Sequence, residues 1–105
     1  AFSACLLALG AEPVRPPVPG ADLPGVHVLR SLRDAIGLRE AARPGARVVV
    51  VGSGFVGCEA AASLAARGAR VTMVARSPVP QRARLGGEVG RRIAGWLTDA
   101  GVTLH

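Results

Sequence analysis

The chain has 105 residues and a formal charge of +6, with 13 basic residues that are all arginine. Those arginines are scattered, and the only aromatics are Phe2, Phe55 and Trp96. A nucleic-acid surface needs a basic stripe, often with stacking rings, so that class of partner is excluded. Cys5 and Cys58 form no C-x-x-C and have no histidine cluster beside them, which excludes a zinc site. No apolar run reaches the length of a membrane span; no membrane partner and a cytoplasmic location are expected.

In chain order, Ala4 to Leu9 reads as a short buried strand ending at Gly10. The first eleven residues also resemble the tail of a signal peptide, but no basic n-region precedes them. With no initiator Met and an apolar start, the chain reads as a piece of a longer protein. Residues 12–25 hold Pro13, Pro16, Pro17, Pro19 and Pro24, which forbid helix and sheet interior and predict a stiff, extended connector. Val26–Leu29 is a candidate brief strand. Ser31 then caps a helix over Leu32–Ala42, with Asp34 in a capping-box position and Pro44-Gly45 as the stop.

Arg47-Val-Val-Val-Val51 reads as a strand buried on both faces, at the centre of a parallel sheet. Gly52, Ser53, Gly54, Phe55, Val56 and Gly57 follow with the G-x-G-x-x-G spacing, and Glu59 to Arg67 are strong helix formers closed by Gly68. A strand, a glycine turn and a helix N-terminus make a pyrophosphate site, because unpaired N–H groups and the helix dipole both attract the anion. Glycine is so common here (14 of 105) that the spacing alone is weak; the strand before it and the alanine-rich helix after it carry the signal. A βα turn that binds nothing is the bland alternative. Cys58 lies in the first turns of this helix and reads as a small buried residue rather than a reactive thiol.

Arg70–Ala75 is the next strand, followed by a loop over residues 76–84. A second helix is expected from about Gly87 to Ala100, with Val89, Ile93, Trp96, Leu97 and Ala100 on its apolar face and Trp96 in the core. Gly101 ends it and Val102–His105 starts a third strand. The β-α-β-α-β order is half of a doubly wound α/β sheet of Rossmann type.

Three stretches in sequence carry a family resemblance: Ala8-Leu-Gly-Ala-Glu-Pro13, the Pro-Gly-Ala-Asp-Leu-Pro-Gly-Val run over residues 19–26, and Val51-Gly-Ser-Gly-Phe-Val-Gly-Cys-Glu-Ala-Ala61. Together they resemble the FAD-dependent pyridine nucleotide-disulphide oxidoreductases, especially the ferredoxin-reductase-like branch. Leu9 differs from the threonine usual in that family. The resemblance implies that residues 1–25 are the end of a FAD-binding domain and its linker. Residues 26–105 are then the first half of an inserted NAD(P)H-binding domain. It implies hydride transfer from the nicotinamide to FAD and on to a protein or small-molecule acceptor, with a homo-oligomer as one expected state. Phe55 matches the aromatic that lies over the flavin, and Glu59 a carboxylate near the nicotinamide. The bland reading of Glu59 is favourable charge in a first helical turn. With no FAD pyrophosphate motif of its own, the segment is expected to hold no FAD and to be inactive alone; no residue in it is assigned a catalytic role.

In NAD-binding relatives an acidic residue at the end of the second strand holds the ribose hydroxyls and repels a 2′-phosphate. Ala75 stands there, followed by Arg76 and, six residues on, Arg82, like the arginine pair of NADPH-using relatives. NADPH is therefore expected, with NADH as the alternative. Two competing readings stay open at this point: a non-catalytic nucleotide-binding or interaction module, and a freestanding Rossmann dehydrogenase without flavin.

Overall fold

A computed structural model describes residues 1–105. Its elements are α1 (Leu32–Ala41), β1 (Arg47–Val51), α2 (Phe55–Ala66), β2 (Arg70–Val74), α3 (Arg82–Asp99) and β3 (Thr103–Leu104). The strands form one parallel sheet in the order β1-β2-β3, with Val48 beside Val71, Val50 beside Met73, and Met73 beside Leu104. This is the expected α/β, Rossmann-type arrangement.

The local chemistry explains the element ends. At α1, the Asp34 amide donates to Ser31 Oγ at 3.2 Å, and Asp34 Oδ2 accepts from the Ser31 amide at 2.8 Å, closing the capping box. The Ser31 amide, the Ser31 side chain and then the Arg30 amide hold the Asp34 carboxyl below its usual range. α2 and α3 both end on a left-handed glycine, Gly68 (φ 86°) and Gly101 (φ 87°). The following amides, of Ala69 and Val102, return to Leu64 O and Leu97 O at 3.1 and 2.9 Å, the Schellman pattern.

Both crossovers step in the same direction across the sheet, so right-handed connections place α2 and α3 on one face. The core lies on that face: Ala61 and Leu64 of α2 and Leu97 of α3 pack with Val71, Met73 and Val102. No element of these 105 residues covers the opposite face. Within this span β1 lies at the edge of the sheet, where the sequence reading put it at the centre, and its valines alternate: Val48 and Val50 are half-buried while Val49 and Val51 are 64% and 74% exposed.

Three other expectations are corrected. Ala4–Leu9 and Val26–Leu29 form no strands, because no neighbouring strand pairs with them; Leu6, Leu7 and Leu9 are exposed. Trp96 is 63% exposed. On α3, Leu97 is buried and Ile93 packs against the core, while Trp96 lies outside that packed set. The radius of gyration, 16.0 Å, exceeds the roughly 13 Å of a compact domain this size, since residues 1–30 extend away from the packed part.

No helix is long and apolar enough to cross a membrane.

Candidate dinucleotide site at the strand ends

β1 ends at Val51, and the Gly52 amide makes one last ladder bond to Val74 O at 2.8 Å. Gly52 then turns with φ 100°, a value side chains resist, and sends the chain into α2. The N-cap of α2 is Gly54, which offers no side chain to the helix, so the first-turn amides have no side-chain cap. Nothing lies within 4 Å of the place a Cβ would take on Gly54. Gly57 is the opposite case: a Cβ there would press on the Gly52 carbonyl oxygen, so helix and turn lie in close contact. Free amides, a positive helix end and open space above Gly54 fit a diphosphate.

Phe55 and Glu59 lie one turn apart on the exposed side of α2; Phe55 is 56% exposed. Val56 is likewise exposed, and Ser53 is half-buried. The half-buried Cys58 thiol donates to Ser53 O at 3.5 Å, and burial pushes that thiol up. A raised thiol is a poor nucleophile, in keeping with a packing role.

Beside the turn, at the C-terminal ends of the strands, lies a cavity of about 240 Å³. Its lining is made by Ser53 of the turn, Met73 of β2, Leu104 and His105 at the end of β3, and Ala75, Arg76, Ser77, Pro78 and Pro80 of the loop after β2. Arg76 and the glycine turn are thus brought together; Arg82 begins α3 and does not line the cavity. Two contacts set the height of the loop. The amide of Gln81, a buried residue with left-handed φ of 57°, donates to Ser53 O at 3.2 Å. Gly90 of α3 lets Pro80 sit close, since a Cβ there would meet Pro80 O at 2.6 Å. Side-chain Nε2 of Gln81 is buried near the Cys58 thiol, a weak acceptor, and makes no well-formed hydrogen bond. Ser77 and His105 escaped the motif reading: Ser77 lay unremarked in a loop, and nothing in the linear order places His105 beside Arg76.

Comparison with known proteins agrees with this geometry. The chain is 47% identical over 76 residues to the epsilon subunit of an NADH-dependent phenylglyoxylate dehydrogenase from Aromatoleum evansii, covering 72% of this chain and 18% of the relative. It superposes on a ferredoxin reductase from Rhodopseudomonas palustris with a TM-score of 0.85 and 33% identity, over 91% of this chain and 24% of the other. An engineered water-forming NADPH oxidase bound to NADPH gives a TM-score of 0.83 and 30% identity, over 91% and 21%. Its precursor, the NADH oxidase of Lactobacillus brevis bound to NADH, gives 0.81 and 27%, over 90% and 21%. The chain therefore spans about a fifth to a quarter of the length of these proteins. The pyridine nucleotide-disulphide oxidoreductase model matches residues 1–105, and the chain belongs to that family.

Proposed function

We propose that this chain is the NADPH-binding segment of a FAD-dependent oxidoreductase, in which hydride passes from NADPH to FAD and electrons continue to a protein or small-molecule acceptor. Residues 1–25 then belong to the end of the FAD domain and its linker, and residues 26–105 to the first half of the nicotinamide-nucleotide domain. The amides from Ser53 to Gly57, Val56 included, hold the diphosphate, and Gly52 makes the turn that aims them. Phe55 and Glu59 face the nicotinamide end. The bound flavin supplies the redox chemistry; the residues of this chain bind and orient the donor.

The curated relative most similar above is named for NADH, so family membership does not choose between the two nucleotides. The observation that carries the choice is the cavity lining: Arg76 and Ser77 stand beside Ala75, and no carboxylate is present. The engineered NADPH oxidase supports it by count along the chain. That protein was given alanine, arginine and serine at three consecutive positions, replacing aspartate, alanine and methionine, and an arginine seven residues after the first. Ala75, Arg76, Ser77 and Arg82 have the same residues at the same spacing. Its fifth change, glycine to alanine eighteen positions before the first of the three, has no counterpart, because Gly57 is retained.

The test is visible absorbance of the full-length protein before and after anaerobic NADPH. A flavin spectrum that bleaches supports the proposal; a colourless protein, or a flavin that NADPH leaves oxidised, defeats it.

A further inference from the structure

One wall of the cavity is left over when the turn and the arginine loop have been given their roles. β3 ends at Leu104, and His105 follows level with the point where β2 becomes the loop. The His105 amide donates to Met73 O at 2.8 Å, and the His105 carbonyl accepts from the Ala75 amide at 2.9 Å. These bonds carry the parallel ladder one residue past the Met73–Leu104 pair. Position 105 is thus held in register beside Ala75 by backbone hydrogen bonds, which leaves the imidazole nitrogens uncommitted. His105 lines the cavity together with Ser53, Arg76 and Ser77. Every one of these side chains can donate a hydrogen bond, and no acidic residue lines the cavity. Such a set suits a dianionic phosphate monoester better than a ribose diol, which needs an acceptor.

Building on the NADPH assignment, we propose that His105 is a specificity-determining residue that donates an imidazole N–H to the ribose 2′-phosphate. It reaches the phosphate from the β3 side, across from Arg76 on the loop after β2. Neutral imidazole keeps one N–H, so the contact does not require a charged ring. Discrimination then comes from two strands rather than from the β2 loop alone.

The experiment is titration calorimetry of the full-length protein with 2′,5′-ADP and with 5′-ADP, which differ by the phosphate in question. Wild type, Arg76→Ala, His105→Ala and His105→Gln are compared. Arg76→Ala and His105→Ala are each expected to weaken 2′,5′-ADP about five- to tenfold and to leave 5′-ADP unchanged, the scale of one hydrogen bond to a charged group at an open site. His105→Gln keeps an N–H donor and recovers most of the loss. If Arg76→Ala weakens 2′,5′-ADP selectively while His105→Ala alters neither ligand, the role given to His105 is wrong and the NADPH assignment stands. Equal weakening of both ligands by His105→Ala marks a packing role and also overturns it. If wild type does not prefer 2′,5′-ADP and Arg76→Ala changes nothing, the NADPH assignment falls and takes this proposal with it.

Discussion

The glycine turn and the arginine loop lie at the same end of the sheet but present different chemistry, backbone amides in one and side chains in the other. The turn, residues 52–57, offers backbone: the Gly52 amide is tied to Val74 O, the amides that open α2 have no side-chain cap, and a Cβ on Gly57 would press on the Gly52 carbonyl. The loop, residues 75–81, uses side chains, and their placement depends on contacts from elsewhere in the chain. Ser53 O holds Gln81, Gly90 admits Pro80, and His105 closes the far wall. Backbone recognition is blind to the nucleotide's 2′ substituent. On the proposed reading, the side chains of the loop are where NADPH and NADH part.

The comparison breaks first at Gly57. In the full-length protein, Gly57→Val forces the Gly52 carbonyl away and disorders the amide cluster, so NADPH and NADH binding should both fall about 100-fold or more, as several hydrogen bonds to charge are lost together. Equilibrium titration of each nucleotide checks this; selective loss of one would show that the turn does more than hold the diphosphate.

The opposite signature is expected from the loop. Ala75→Glu combined with Arg76→Ala supplies an acceptor for the ribose hydroxyls and removes the guanidinium. The ratio of NADPH to NADH kcat/KM should drop about 10- to 100-fold, on the scale of one charged hydrogen bond plus one repulsion. A ratio that does not move means the loop has been assigned wrongly.

These two regions also differ in how far they could be read before the fold was known. The turn was legible because its chemistry is local: a valine strand, glycines at fixed spacing and an alanine-rich helix are contiguous, and Gly68 marks the helix end where the Schellman bonds form. Arg76 was legible for the same reason, lying one residue past the strand. His105 was not, since only the parallel pairing of β3 with β2 brings it there. The errors share a cause. Four valines in a row say that a strand can be buried on both faces; Val49 and Val51 are exposed because no element of these 105 residues lies over them. Ala4–Leu9 has the composition of a strand and lacks a partner to pair with. Trp96 has helical periodicity with Ile93, yet it lies outside the packed core.

A smaller effect sharpens the account of the loop's support. Gln81 buries Nε2 near the weakly accepting Cys58 thiol, without a well-formed hydrogen bond, while its backbone amide ties the loop to Ser53. Gln81→Met keeps that backbone bond and removes the poorly bonded amide, so thermal unfolding should show stabilisation of about 1 kcal/mol with nucleotide preference unchanged. A change in preference would mean that the Gln81 side chain itself shapes the cavity.

The most direct measurement is a crystal structure of the full-length protein with NADP⁺ bound. The expected density has the diphosphate against the amides that open α2, above Gly54, and the 2′-phosphate beside Arg76 with no carboxylate within reach. A dinucleotide seated elsewhere, or a glycine turn filled by the protein's own side chains, would contradict the account.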